Sequence, residues 1–265
     1  MHDLDAKHER LRELVRGHGE LLVAYSGGVD SGLVLKVAHD ELGRRAMGVT
    51  AYSPAVPRRE LQEALRLARA IGAAHRVVRT DEIDDPRYAA NPANRCYFCK
   101  STLYASLLAF ARRHGYSTIA NGTNLDDLGD HRPGIAAADE FRVVSPLRDA
   151  GLSKADVRAL ARKLALAAWD KPASPCLASR IPYGSPVTRE KLASIDEAED
   201  YLRGLGLRDL RVRHFGARAR VEVSRAELET LAGRIDAIRE RLRRIGFEEV
   251  ELTELRSGAL NDSLT

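Results

Sequence analysis

The sequence predicts an α/β protein in which a mostly parallel sheet is covered by helices on both faces and is followed by a smaller α+β domain. Three observations carry this expectation. Over the first two-thirds of the chain, short apolar runs alternate with helical patterns, the order that parallel strands joined by helical crossovers require. At "RIPYGSPVTRE" the composition changes, with proline and glycine punctuating the chain. Beyond it a helix, two short strands, a long helix and a last strand form a set of their own. The larger domain is expected over residues 1–184 and the smaller over 185–265.

The elements follow in order. Residues 4–18 read as a leading helix, "ELLVAYS" as a strand and "SGLVLKVAHDEL" as the next helix. "RAMGVTAYS" is the second strand. "PRRELQEALRLARAIG" is a helix begun by proline and ended by glycine, and "AHRVVRT" is the third strand. Cys96 to Gly115 fits a helix, "YSTIANG" and "FRVVSPL" fit strands, and "SKADVRALARKLA" fits a further helix. In the smaller domain "REKLASIDEAEDYLRGLG" reads as a helix, and "LRDLRVRHFG" and "ARARVEVS" as a hairpin. "RAELETLAGRIDAIRERLRRIG" reads as one long helix and "FEEVELTEL" as a last strand. No internal repeat or low-complexity segment interrupts them.

Bulk properties narrow the classes. A chain of 265 residues buries roughly 70 to 75% of the surface its unfolded form exposes, so its core needs no staples. No run approaches the eighteen or so apolar residues of a membrane span, and "MHDLDAKHER" lacks the basic and apolar regions of a secretory signal. The cytoplasm is the expected location. A net charge of +4 does not demand nucleic acid, and "RLRR" and "RDLRVRH" read as solvated faces. Three cysteines, an odd number, build no disulfide framework.

The strongest chemical signal is "AYSGGVDSG", Ala24 to Gly32, between a strand and a helix. Adjacent glycines Gly27 and Gly28 turn the backbone tightly, so that successive N–H groups converge on phosphate oxygens at a helix N-terminus. Ser26 and Ser31 add hydroxyls. The lysine of a Walker A loop is absent, and Asp30 suits the Mg²⁺ that accompanies ATP rather than bare phosphate. The second signal is "NRCYFCK", with Cys96 and Cys99 two residues apart. Such a pair reads as a redox dithiol, as part of a zinc site completed by a histidine such as His131, as core thiols, or as two ligands of a site that also uses Cys176.

"SGGVDS" resembles the signature of the PP-loop ATP pyrophosphatases, with their adenine-nucleotide-hydrolase-like fold. "AYSPAVPRRELQEALRLARAIG", "NRCYFCK", "NGTNLDDLGDHRPGIAA", "SPL", "WDKPASPCLASRIPYG" and "ELRSGALND" together resemble the LarE family over nearly the whole chain. These are ATP-dependent sulfur transferases of nickel-pincer nucleotide cofactor biosynthesis, which serves lactate racemase. The resemblance implies adenylation of pyridinium-3,5-biscarboxylic acid mononucleotide, followed by sulfur insertion to give a thiocarboxylate. It implies ATP and Mg²⁺ as cofactors and a homo-oligomer, a hexamer, as the assembly.

The resemblance also implies roles. Ser26, Gly27, Gly28, Asp30 and Ser31 hold the pyrophosphate side, the segment Thr50 to Ser53 borders the adenosine, and "NGTN", with Gly122 and Asn124, lies beside the nucleotide. Asp126 and Asp127 are candidate metal or loop-ordering carboxylates, and Arg132 and Arg180 candidate phosphate or carboxylate clamps. In the smaller domain Glu199 is the candidate metal ligand and Arg211 and Arg213, alternating onto one strand face, the candidate phosphate ligands. Glu227 or Glu229 is a second metal candidate. Leu255 stands before Arg256 where an aromatic is more usual.

Cys176 divides the family. In one form it is sacrificial: its thiolate attacks the adenylate, and cleavage of the carbon–sulfur bond on the protein side leaves dehydroalanine. In the other, three cysteines hold a [4Fe-4S] cluster whose open iron presents hydrosulfide, from sulfide or another sulfur donor. The presence of Cys96 and Cys99 makes the cluster on Cys96, Cys99 and Cys176 the expectation here, with sacrificial Cys176 as the alternative. Tyr97 and Phe98 supply helix packing or a lid. A tRNA-thiolating enzyme and a noncatalytic nucleotide-binding protein are the other classes in play.

Overall fold

In the computed structural model, which describes residues 2–129, 133–172 and 174–255, the chain divides into two compact units. The first takes the chain up to Ser53, Arg58–Glu82 and Asn94–Ser174. It contains α1 (His2–Gly17), β1 (Leu21–Ala24), α2 (Val29–Leu42), β2 (Ala46–Tyr52), α3 (Arg58–Ile71) and β3 (Ala74–Arg79). After α4 (Pro86–Ala89), which belongs to the second unit, come α5 (Arg95–His114), β4 (Ile119–Ala120), α6 (Pro133–Glu140), α7 (Pro146–Asp149) and α8 (Lys154–Lys163). The sheet order is β3-β2-β1-β4 and every pairing is parallel.

Local chemistry accounts for these elements. α3 buries Ala64, Leu67, Ala68 and Ile71, the i, i+3, i+4, i+7 stripe of a half-buried helix. Gly72, at φ 80°, stops it in a conformation other residues resist. The first three residues of β1 show why the sheet is covered on both faces: Leu21 and Val23 join the core built with α1, α2, α7 and α8, while Leu22 joins Val49, Tyr104, Leu107 and Ile119 in the other. α8 starts on a capping box in which Ser153 and Asp156 exchange hydrogen bonds.

Two expected elements differ. "FRVVSPL" forms no strand beside β4; Val144 makes a single parallel bridge to Ala120. Pro146, which has no N–H to give a ladder, instead opens α7. The long helix expected over 225–246 is broken into α10 (Arg225–Leu231), a 3₁₀ turn over Ala232–Arg234 and α11 (Ile235–Ile245). The turn contains Gly233, the poorest helix former in that run after proline.

The second unit comprises Pro54–Pro57, Ile83–Ala93 and the chain from Pro175. Besides α4, α10 and α11 it holds α9 (Arg189–Gly204), capped by the Thr188 hydroxyl, and the strands β5 (Leu210–Phe215), β6 (Arg218–Val223) and β7 (Glu249–Glu254). β5 and β6 form the antiparallel hairpin, and β7 pairs parallel to β6. Their core gathers Ala198 and Leu202 of α9, Val212, Ala219, Val221 and Val223 of the strands, and Ile238 and Leu242 of α11. The protein is thus a parallel-sheet, PP-loop-like core plus a separate mixed-sheet domain. Among the described residues no helix is long and apolar enough to cross a membrane.

Candidate functional site

The glycine-rich loop leaves β1 at Ala24 and enters α2 at Val29. Gly27 sits at φ 76°, and a Cβ there would lie 2.7 Å from the Ala64 Cβ and 2.8 Å from its Cα on α3. Position 27 therefore excludes any side chain, both by conformation and by space. Gly122, just after β4, is constrained by space alone, because its Cβ would fall 2.7 Å from the Ser31 backbone nitrogen. The loop is internally braced: Ser26 N–H donates to Ser31 Oγ at 3.1 Å and the two hydroxyls lie 3.0 Å apart. Gly28 caps α2 with no side-chain hydrogen bond, so the first-turn N–H groups face outward as donors for an anion.

The ends of the neighbouring strands complete this part of the site. Thr50 Oγ1 donates to the Tyr25 carbonyl at 2.8 Å and lies 2.8 Å from His75 Nε2. Since the hydroxyl proton is spent on Tyr25, His75 donates from Nε2. Burial, followed by the Arg76 charge, lowers the His75 pKa, which keeps the ring neutral. Ser53 donates to Glu82 Oε1 at 2.5 Å, and the other Glu82 oxygen is buried without a partner among the described residues.

On the other side of the loop, Asp30 accepts from Asn124 Nδ2 at 3.1 Å and pairs with Lys154. Asn124 is held by Asp127, which accepts its N–H at 3.0 Å, and Asp126 accepts from the Lys154 N–H at 3.0 Å. Lys171 contributes a second ammonium, 2.7 Å from Glu60, 2.8 Å from Glu63 and 3.5 Å from the Gly27 carbonyl. Burial pulls the Lys171 pKa down, but the two carboxylates outweigh it and the net shift is upward. Neither lysine was singled out from the sequence. The signal available for Lys154 was its place directly after the cap residue of α8.

In the second unit, Cys176 precedes the 3₁₀ turn Leu177–Arg180 and is half-buried. Its carbonyl accepts from the Ser179 N–H at 3.0 Å and the Ser179 hydroxyl at 2.7 Å. Arg180 spans Pro175 O (2.8 Å) and Ser179 Oγ (2.9 Å) with Nη1, and gives Nε and Nη2 to Glu199 at 2.8 and 3.1 Å. Glu199 is fully buried and also accepts from Arg203 at 3.0 Å and the Val212 N–H at 3.1 Å. Both of its oxygens are spent on these donors. Arg213 pairs with Glu222 at 3.0 Å and donates to Ser179 O at 2.9 Å. Arg211, half-buried, has no carboxylate at ion-pair distance among the described residues. Burial, then the charges of Arg213 and Arg180, lowers its pKa, as expected of an unneutralised guanidinium. Glu222, missed in the sequence, orients Arg213, while Glu227 is occupied by Ser224 and the Arg208 N–H.

The chain is 36% identical over 268 residues, all of its own length and 97% of the other, to the pyridinium-3,5-bisthiocarboxylic acid mononucleotide synthase of Lactiplantibacillus plantarum. The chain belongs to this synthase family. It is accordingly an enzyme. Within the family's reach lie an uncharacterized protein of Synechocystis, 44% identical over 99% of each chain, and one of Methanocaldococcus jannaschii, 28% identical over 87% of this chain and 88% of that one. No protein-family profile matches the sequence.

For this synthase-family chain the expected [4Fe-4S] cluster on Cys96, Cys99 and Cys176 is overturned. Among the described residues no group of three His, Cys, Asp or Glu side chains is placed to hold a metal ion. Cys96 and Cys99 lie in the first turns of α5, in the first unit, and Cys176 in the second. A CxxC spacing brings two thiolates to one face of a helix, but by itself it supplies no third ligand. The iron–sulfur expectation, and metal binding by these three cysteines, fall with the cluster, and the sacrificial alternative for Cys176 fits the family assignment better. His131, Arg132 and Arg256 lie outside the described residues.

Proposed function

We propose that this chain is an ATP-dependent sulfur transferase that converts the carboxylates of pyridinium-3,5-biscarboxylic acid mononucleotide to thiocarboxylates, releasing AMP and pyrophosphate, with Cys176 as the sulfur source. The full-length likeness to the Lactiplantibacillus synthase carries the reading. The loop geometry supports it: outward N–H groups at the start of α2, with Ser26 and Ser31 hydroxyls beside them, suit the triphosphate, and Thr50, Ser53, Gly122 and Asn124 border the nucleotide. Magnesium fits Asp30, because Mg²⁺ is bound through one or two carboxylates plus phosphate oxygens and water rather than by an all-protein cage. When bound with ATP it would neutralise the phosphates at the leaving pyrophosphate.

The chain's residues then divide the work. The carboxylate attacks the α-phosphorus and pyrophosphate leaves. The Cys176 thiolate attacks the resulting acyl adenylate and AMP leaves, giving a thioester. Removal of the Cα proton of residue 176 drives the electron pair into a Cα=Cβ bond, the Cβ–S bond breaks, and the sulfur departs on the substrate as thiocarboxylate. Arg180 and Ser179 fix the backbone on which Cys176 sits, and Arg211, backed by Arg213, takes the substrate phosphate. Residues 185–265 form the substrate and assembly domain. The protein acts in the cytoplasm as a homo-oligomer and needs no external sulfur donor for a single turnover.

The test is intact-mass analysis after incubation with ATP and the dicarboxylate. The expected result is loss of one sulfur and two hydrogens, mapped to residue 176, with AMP and pyrophosphate formed only when the dicarboxylate is present. Thiocarboxylate formed with the protein mass unchanged rejects Cys176 as donor. Absence of dicarboxylate-dependent pyrophosphate rejects the transferase reading.

A further inference from the structure

The carboxyl ends of β2 and β3 hold a carboxylate that phosphate binding does not account for. The sheet order β3-β2-β1-β4 sets these two strand ends in line beside the phosphate loop, which leaves the same edge of the sheet from β1. The Thr80 N–H donates to the Tyr52 carbonyl at 3.1 Å and keeps the two strands together to their last residues. Just beyond, Ser53 and Glu82 are only 3% and 4% exposed, and the Ser53 hydroxyl donates to Glu82 Oε1 at 2.5 Å. Glu82 Oε2 is buried with no partner among the described residues.

A tie between two strand ends needs one acceptor, which an uncharged glutamine would supply. A second carboxylate oxygen withdrawn from water and left unpaired is costly, so it calls for a donor from outside the chain. The charge narrows that donor. Triphosphate oxygens and the carboxylates of a dicarboxylate substrate are anionic acceptors and repel it. A neutral N–H or O–H of the nucleoside does not. Position then chooses between base and sugar. Neighbouring strands lie about 4.8 Å apart, so the end of β3 is two steps, roughly 10 Å, from the end of β1. With the phosphates held at β1, the sugar occupies the first step and the base, the far end of the nucleotide, reaches the second.

We propose that Glu82 Oε2 accepts a hydrogen bond from the 6-amino group of adenine and makes the site choose ATP over a 6-oxopurine nucleotide. Hypoxanthine and guanine carry an oxygen at that position, which would meet the carboxylate acceptor to acceptor. A site built around a substrate N–H rejects an analogue that lacks it far more strongly than apolar contact can. Oε2 is covered by protein atoms, so the carboxylate turns about its Ser53 hydrogen bond to meet the base. The proposal rests on the reading that ATP binds at the phosphate loop.

Calorimetric titration of the full chain with ATP, dATP and inosine triphosphate, each with magnesium, tests it. The unaltered protein is expected to bind ATP roughly 10- to 100-fold more tightly than inosine triphosphate, the worth of one charge-assisted hydrogen bond. Glu82→Gln keeps an acceptor for Ser53 and turns an amide N–H toward position 6 of the purine. It is expected to weaken ATP, strengthen inosine triphosphate and collapse the ratio between them, while the ratio of ATP to dATP stays as it was. Collapse of the ATP to dATP ratio instead would place a ribose hydroxyl on Oε2. Equal loss for all three nucleotides would make Glu82 a tie between strands, and no change would leave Oε2 to a water molecule. Each of these three results overturns the proposal. Thermal melting checks the variant; if it does not fold, equal affinity of the unaltered protein for ATP and inosine triphosphate overturns the proposal by itself. Failure of the unaltered protein to bind any of the three would instead strike the reading of the loop, and the proposal with it.

Discussion

Around the phosphate loop the groups that matter are small and backbone-borne, whereas around Cys176 they are buried arginines and glutamates. The loop holds its shape through glycines that exclude a Cβ and two serines that brace each other. The Cys176 turn is held instead by Arg180, which reaches Glu199 of α9, and by Arg213, which reaches Ser179 O from β5. A site made of backbone can bind a chemically invariant polyphosphate. Under the proposed mechanism the Cys176 thiol is consumed and needs only to be presented, so that its scaffold of ion pairs stays intact when the sulfur leaves.

The largest expected effect follows from that division. Cys176→Ala is expected to abolish thiocarboxylate formation, read by mass spectrometry of the small-molecule product, while dicarboxylate-dependent pyrophosphate release persists because the loop is untouched. The Cys96→Ser/Cys99→Ser double variant is expected to retain sulfur transfer. The reverse pattern would sink the sacrificial assignment.

Glu199→Ala probes the scaffold rather than the thiol. It leaves the buried Arg180 guanidinium and the Val212 N–H without their acceptor, and breaking a buried pair in this way costs about 3–5 kcal/mol. Denaturant unfolding should show that loss. Surface pairs such as Arg244–Glu240, worth well under about 1 kcal/mol, make the control: Glu240→Ala should barely register. A Glu199 variant as stable as its parent would mean that the arginines find other partners.

Gly27→Ala tests the other region by the same logic. The new Cβ meets the Ala64 backbone at a left-handed φ, and overpacking of this kind costs about 1–3 kcal/mol. Because the strain falls on the loop, ATP affinity should drop by more than the global stability loss accounts for. An alanine variant that binds ATP normally would show that the loop is less tightly specified than its contacts imply.

The same contrast explains what the sequence made legible. The loop could be read because Ser26, Gly27, Gly28, Asp30 and Ser31 are contiguous and their spacing alone dictates the turn. The parallel sheet was readable from the apolar run of β1 and the stripe of α3. The Asp30–Lys154 and Lys171–Glu60 pairs were not, since 124 and 111 residues separate the partners and no local pattern marks them. Arg180 and Glu199 were both singled out, but for separate roles; their pairing depends on how the Cys176 turn packs against α9. The CxxC motif misled because spacing reports which thiols share a helix face and is silent about what lies opposite. "FRVVSPL" was misread because an apolar run ending in proline looks like a strand whether or not a ladder is available to it.

The smallest effect concerns what the two regions share, a histidine withdrawn from solvent, half-buried in the case of His75 and buried in that of His214. His75 donates to Thr50 beside the loop, and His214 on β5 packs edge-on against Phe247, its Nδ1 buried without a partner among the described residues. Burial is the largest cause lowering each pKa, aided by the charges of Arg76 and Lys191 respectively. In the unfolded chain both return to about 6.5. Between the depressed folded value and 6.5 the unfolded state binds more protons, so stability rises with pH through that window and is lost as pH falls below about 6.5. His214→Gln should flatten that slope without touching nucleotide affinity. His75→Gln should flatten it while also loosening Thr50, and with it the Tyr25 carbonyl at the mouth of the loop. If both variants leave ATP binding unchanged, His75 is a core residue and the adenosine side of the site begins no nearer than Ser53.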